Sequence, residues 1–214
     1  MQSRTGRRSN RERTEVTRGD LVTAARKLFT ERSYAETSTP DIATAAGVTR
    51  GALYHHFEDK QALFRAVVEH EALAVSEEIE RATPPALPVR RALLAGADAY
   101  LTAMAVSGRT RLLLLDGPAV LGRTEMDAID LRHAGRTLRE GLAEAMREGV
   151  LAKAPLDALT GLLSAAFDRA ALAIDAGASA ADYRGAIVAL IEGLFTATPP
   201  SGAPPSSRPG RRRS

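Results

Sequence analysis

Between Ser38 and Lys60 the chain gathers groups suited to gripping a partner: hydroxyls at Ser38, Thr39 and Thr49, a guanidinium at Arg50, a phenol at Tyr54, imidazoles at His55 and His56, and an ammonium at Lys60. Such groups form hydrogen bonds with phosphate oxygens and base edges. Bond-making chemistry would need an activated nucleophile, a metal set or a cofactor loop. The chain has no Cys and no HExxH, P-loop, GxGxxG or GxSxG string, so neither enzymatic turnover nor a cofactor is expected. The pair His55-His56 could suggest a metal site, but adjacent residues on a helix diverge and chelate poorly. No metal is expected there.

These groups need a scaffold that exposes them side by side. Leu21, Ala25, Leu28 and Phe29 repeat at helical spacing and predict a first helix over 17–32. Ser38 and Asp41 form a capping-box pattern, and Pro40 fits the first turn, so a short helix should run over 39–46. Gly47 ends it, because a residue without Cβ accepts the left-handed turn. Thr49 caps a third short helix with Leu53 and Phe57 turned inward, and Asp59 opens a long fourth helix over 60–82 with Leu63, Val67 and Leu73 on one face. Two short helices crossing at Gly47-Val48, locked by Ile42, Ala43, Val48 and Leu53, make a helix-turn-helix unit. Its free surface would be Arg50, Gly51, Ala52, Tyr54 and His55, sized for a DNA major groove. A helix pair around a glycine also occurs in proteins that never meet DNA, and Tyr54 alone could be a partly buried aromatic.

The string Thr37-Ser38-Thr39-Pro40-Asp41-Ile42-Ala43, then Ala46 to Phe57, then Lys60 and Leu63, resembles the signature of the TetR (tetracycline-repressor-like) family; Ala24-Ala25, Leu28-Phe29 and Tyr34 match it too. The resemblance is close over 17–68 and looser beyond. It implies that Tyr54 and Lys60 hold phosphates, that Ser38, Thr39 and Thr49 assist, and that Arg50, Ala52 and His55 face bases. Two departures stand out: Ser33 where the family usually has Gly, and Ala52 where Thr is common.

The rest of the chain reads as helix almost throughout, so the expected class is all-α: a helix-turn-helix domain over 17–63 (motif 38–57) and a helical regulatory and dimerisation domain over 64–198. Body helices are expected near 88–107, 109–115, 123–148, 155–176 and 180–197, separated at Pro84/Pro85/Pro88, at Asp116-Gly117-Pro118, from Gly149 to Pro155, and at Gly177. Residues 1–16 are Arg-rich and unpatterned, and 199–214 hold five Pro and four Arg. Both read as disordered tails. Residues 1–60 carry 11 Lys/Arg against 8 Asp/Glu, whereas 61–198 carry 14 against 18. A basic head on an acidic body suits a polyanion partner at the front. No apolar run is long enough for a membrane, and the missing cysteines fit a reducing compartment, so a cytoplasmic protein without a membrane partner is expected.

The resemblance further implies a homodimer through 155–197. Leu159, Leu162, Leu163, Ala166, Ala170 and Ala173 form one apolar face there, and Ile187, Leu190, Ile191 and Leu194 another. A partner copy would also double the DNA read, on a palindromic operator. Family members often bind a small molecule in the body and then release DNA. Candidate lining residues are Tyr100, Met104, Met126, Ile129, His133 and Phe167, and their few polar groups suggest an apolar ligand; all six could instead be ordinary core. Repression is the default expectation, with activation or ligand-independent regulation as the alternative. A helical adaptor that binds only protein is a further rival.

Overall fold

The computed structural model describes residues 10–195. The helices are α1 (Asn10–Arg32), α2 (Thr39–Ala45), α3 (Arg50–His56), α4 (Lys60–Ala82), α5 (Val89–Met104), α6 (Arg109–Arg111), α7 (Gly117–Leu121), α8 (Arg123–Arg132), α9 (Ala134–Arg147), α10 (Leu156–Asp175) and α11 (Ala180–Leu194), with a π-helical turn, Leu112–Asp116, between α6 and α7. Among the described residues there is no strand, only a single antiparallel bridge between Leu151 and Phe195. The all-α class is as expected.

The head is built by α1–α3 and the first half of α4. Leu21, Ala25, Leu28 and Phe29 are buried, as the helical spacing requires, and Ile42, Leu53 and Leu63 are fully enclosed. Phe29, Tyr34 and Phe64 form a three-ring cluster with centroids 5.0–5.6 Å apart, within the range for attractive edge and tilted ring contacts. Phe57 is buried and lies under the Arg18 guanidinium, 4.4 Å from its ring centre. The body wraps α5–α11 around the second half of α4, which thus belongs to both parts; the expected boundary at 63/64 falls inside one unbroken helix.

Several boundaries differ from the sequence reading. Helix α1 begins at Asn10, so 10–16 are helical rather than a disordered arm; residues 1–9 and the expected tail 199–214 lie outside the described residues. The interruption at Asp116-Gly117-Pro118 is only a change of winding. Pro118, which has no N–H to give, falls where the π-helical turn passes into α7, and the wider winding carries the chain through it without a break. The single helix expected over 123–148 is two, broken at His133 (φ −121°, ψ −108°). Leu73, placed inward by the α4 pattern, is exposed, and Val68, Ala72 and Val75 turn inward. Packing on two sides of α4 rotates the buried stripe away from the single line that spacing alone suggested.

Candidate nucleic-acid interface and body cavity

Local chemistry fixes the head's two short helices. Ser38 Oγ accepts the Asp41 N–H at 3.3 Å, and Asp41 Oδ2 accepts the Ser38 N–H at 3.4 Å, completing the capping box. The Ser38 hydroxyl, donating to Asp41 first and the Ser38 amide second, holds the Asp41 carboxyl below its usual range. Gly47 adopts φ +68°, and Val48 N–H returns to the Ala43 carbonyl at 2.9 Å, closing the turn. Thr49 Oγ1 caps α3 by accepting from Ala52 N–H at 3.1 Å. Asp59 Oδ1 caps α4 from Ala62 N–H at 2.6 Å.

The turn leaves α3 anchored by Leu53 alone, with Arg50, Gly51, Tyr54 and His55 exposed and Ala52 and His56 half-buried. Gly51 and Ala52 present almost no side-chain bulk, so another surface can approach the backbone closely between Arg50 and Tyr54. The Arg50 guanidinium lies 5.5 Å from the Tyr54 ring centre. The Tyr54 hydroxyl is 3.0 Å from Thr39 Oγ1. That contact first, then Arg50, pulls the phenol below its ordinary pKa. Ser38 and Thr49 are exposed at the starts of α2 and α3 beside free backbone N–H groups, while Thr39 is buried beneath Tyr54.

Lys60 has a different role from the rest of the set. Its ammonium donates to the Tyr34 carbonyl at 2.9 Å and to the Thr37 carbonyl at 3.1 Å, and sits 4.2 Å from the Tyr34 ring centre. Two of its three N–H groups are thus engaged within the chain, tying α4 to the loop before α2. The left-handed residue at the end of α1 is Ser33 (φ +87°), a conformation that glycine accepts without strain. Its strained turn is held by Ser33 N–H to Phe29 O at 3.0 Å and by Thr37 Oγ1 donating to Ser33 O at 2.7 Å.

Charged contacts join head to body. Glu71 of α4 accepts from Arg26 of α1 at 2.8 Å and from Arg109 of α6 at 2.9 Å, and Arg109 also reaches Glu78 at 3.1 Å. Burial alone would push the Glu71 carboxyl up, but the Arg26 and Arg109 hydrogen bonds hold it below the usual range. Farther along, Arg65 pairs with Glu125 of α8, Gln61 donates to the Val120 carbonyl, and Glu69 meets Arg132 and His133. Sequence spacing gave no sign of this network, because its partners lie 31–64 residues apart.

Two adjoining cavities of about 590 and 780 Å³ occupy the body, with Tyr100, Asp130, Ala134, Ser164 and Asp168 in the wall they share. Of the residues expected to line a pocket, Tyr100 faces both cavities, Met104, Met126, Ile129 and His133 face the larger, and Phe167 the smaller. His133 Nε2 lies 2.8 Å from Glu69, so it is partnered. The expectation of few polar groups is corrected: the walls include the half-buried carboxylates Asp130 and Asp168, which the sequence reading missed. Asp168 follows Phe167 and lies four residues after Ser164, a placement on the inward face that could have flagged it.

The dimer faces also need correction. Leu163, Ala170, Ala173, Ile187 and Ile191 are buried within the single chain. What remains outside is Leu162 (72% exposed), Leu190 and Val188, bordered by exposed Gly161, Ala165, Gly185, Ala189 and Gly193.

Comparison with known proteins agrees with this architecture. Residues 21–67 match the family described as "Bacterial regulatory proteins, tetR family", and residues 90–197 match "Tetracyclin repressor-like, C-terminal domain". The chain is 32% identical over 158 residues to the HTH-type transcriptional regulator TtgR of Pseudomonas putida, covering 67% of this chain and 72% of that one. Over 62 residues it is 44% identical to the HTH-type transcriptional repressor BepR of Brucella suis, 29% of each. The crystal structure of a TetR-family transcriptional regulator from Pectobacterium atrosepticum superposes with a TM-score of 0.70 at 33% identity, covering 89% of this chain and 99% of that one. No described helix is long and apolar enough to cross a membrane. The chain belongs to the TetR family of DNA-binding transcriptional regulators.

Proposed function

We propose that the protein is a repressor that binds a palindromic operator as a homodimer and is released when a small molecule occupies the body cavity. The observation that carries this reading is α3: anchored by Leu53, it offers Arg50, Tyr54 and His55 outward beside two side chains too small to obstruct a groove. In this reading Arg50 and His55 meet base edges, Ala52 and Gly51 allow close approach, and Tyr54, Ser38 and Thr49 hold phosphates. Thr39 acts at one remove by orienting the Tyr54 hydroxyl, and Lys60 keeps one N–H for a phosphate while bracing the loop before α2. The names of TtgR and BepR, a regulator and a repressor, support regulation by DNA binding.

The dimer rests on the outer strip of α10 and α11. Its glycines and alanines permit close helix approach, with Leu162, Val188 and Leu190 as the filling side chains. Release follows from the contacts of α4. A ligand that shifts α8 moves Glu125 against Arg65, and with it the start of α4, whose Lys60 holds the loop leading into α2 and α3. The two α3 helices would then lose their matched spacing.

Sequencing the genomic DNA retained by the purified protein tests the reading. A recurrent inverted repeat supports it, and retention without any sequence preference contradicts it. For the dimer, Leu162→Glu with Leu190→Glu should give a helical monomer in sedimentation and lower operator affinity about 100-fold or more, the range gained by linking two binding modules. A wild-type monomer in the presence of operator would contradict the assignment.

A further inference from the structure

We propose that the molecule received by the body cavity is an amphipathic monocation, an ammonium or amine on an aromatic or aliphatic frame, with its charge held between Asp130 and Asp168. This rests on the reading of the cavity as an effector site.

The first support is charge. The two cavity walls include eight Asp/Glu side chains and three Arg. Arg136 is engaged by Glu80 and Glu140, and Arg139 by Asp157, while Arg123 lies in the wall of the larger cavity and acts on Asp168 without forming an ion pair with it. Asp130 and Asp168 form no ion pair among the described residues. Asp168 has only the Tyr100 hydroxyl, which donates to Oδ1 at 2.6 Å. Asp130 accepts from the Gly135 N–H and, at 3.4 Å, from the Ser164 hydroxyl. A carboxylate taken from water without a counterion is costly, so such a pair needs either protons or a cation. The field is felt in both groups. Burial pushes Asp168 up to about 6, and Asp130 and Asp127 add to the rise, against the lowering influence of Tyr100 and Arg123. Burial is also the main cause of the upward shift of Asp130.

The second support is space and shape. Volumes of about 590 and 780 Å³ match small-molecule sites, and the shared wall puts the acids at the middle of the combined space. Tyr100 and Phe167, with ring centres 5.9 Å apart, lie beside Asp168 and can add aromatic faces to a cation. Met104, Met126 and Ile129 supply the apolar lining farther into the larger cavity. The Asp130 carboxylate has a fixed position. A Cβ at Gly135 would come within 2.5 Å of its Oδ2, so the glycine leaves room for the acid at the α8–α9 break. That contact serves the helix start as well as the cavity, whereas Asp168 caps nothing and its charge is free for a ligand.

The test uses the full-length protein and three probes with one frame: a naphthalene on a four-carbon chain ending in trimethylammonium, in hydroxyl, or in carboxylate. In calorimetric titration the ammonium probe should bind at least ten-fold tighter than the alcohol, and the carboxylate weakest. Asp168→Asn, which keeps the shape and the Tyr100 hydrogen bond, should remove most of that preference while leaving affinity for the alcohol within two-fold. Equal or tighter binding of the alcohol or the carboxylate overturns the proposal, as does failure of all three probes to bind. Operator binding is measured on the same sample without probe. If operator binding is intact and the charge preference absent, only the cation assignment fails. If the charge preference is present and sequence-specific DNA binding absent, the repressor reading fails and the cation site stands.

Discussion

The head and the body solve opposite packing problems. In the head, α1–α3 and the start of α4 close around Leu21, Phe29, Ile42, Leu53 and Phe64, and each short helix has a side-chain cap. Leu53 seats α3 on that core and leaves Arg50, Gly51, Tyr54 and His55 exposed. The body does the reverse: its helices surround cavities, break at His133, and set the half-buried carboxylates Asp130 and Asp168 in the cavity walls. A fully packed unit holds one geometry, whereas an incompletely packed one gains stability when a ligand fills it. The contrast is what the proposed division of labour requires, a head of fixed geometry for DNA and a body with room for a ligand. Between them stands α4, fastened to both by ionic contacts.

Breaking that fastening should have the largest effect. Glu71→Ala would leave Arg109, only 7% exposed, without its closest counterion, and should cost about 3–5 kcal/mol in urea unfolding. A cost below about 1 kcal/mol would mean that the head and the body are joined by apolar packing alone.

The next effect is set by pH, and it has opposite signs at the junction and in the cavity. The folded pKa of Glu71 is depressed, so its contribution is present above the unfolded value, near 4.5, and is lost as pH falls through the depressed folded one. Asp168 is raised from 3.8 to about 6, so its contribution is present below 3.8 and is lost as pH rises through about 6. Asp168→Asn should therefore stabilise the ligand-free protein by about 2 kcal/mol at pH 8 and by almost nothing at pH 4. Thermal unfolding at the two pH values checks this, and an equal effect at both would show that the carboxylate is well solvated.

Within the head the expected changes are smaller. Lys60→Ala frees the Tyr34 and Thr37 carbonyls and should cost about 1–2 kcal/mol of stability, besides any loss of DNA affinity. Ser33→Gly should gain about 1 kcal/mol, since glycine accepts φ +87° without strain. Urea midpoints measure both, and a destabilised Ser33→Gly would show that the Ser33 hydroxyl, which accepts from Glu36 N–H, outweighs the strain.

The same contrast explains what the sequence made legible. The head's helices are set by neighbours within four residues: Ser38 with Asp41, Gly47 with Thr44, Thr49 with Ala52, Asp59 with Ala62. Local signals of this kind survive in a linear string, so α2, α3 and α4 are legible there, whereas the start of α1 at Asn10 and the burial of Thr39 are not. The break at His133 has no Pro or Gly at the break itself, and Pro118 looked like a terminator because a π-helical turn cannot be foreseen from composition. The ionic partners of Glu71 and the facing of Asp130 and Asp168 depend on how distant helices meet. Spacing showed that α10 and α11 were apolar. It does not say which flank faces its own chain: Leu163 and Leu162 share the pattern although one is buried and the other exposed.

The most direct test of the account is titration of Arg50→Ala against the operator, against operators with single base changes, and against unrelated DNA, each at several salt concentrations. Arg50 is exposed on α3 and makes no contact on which the head's core depends, so the variant should stay folded. The expected result is a loss of about 1–3 kcal/mol on the intact operator, relaxed preference at one base pair in each half-site, and little change on unrelated DNA. An equal loss on every sequence, with the salt slope reduced by about one unit, would make Arg50 a phosphate contact and contradict the assignment of α3 as the reading surface.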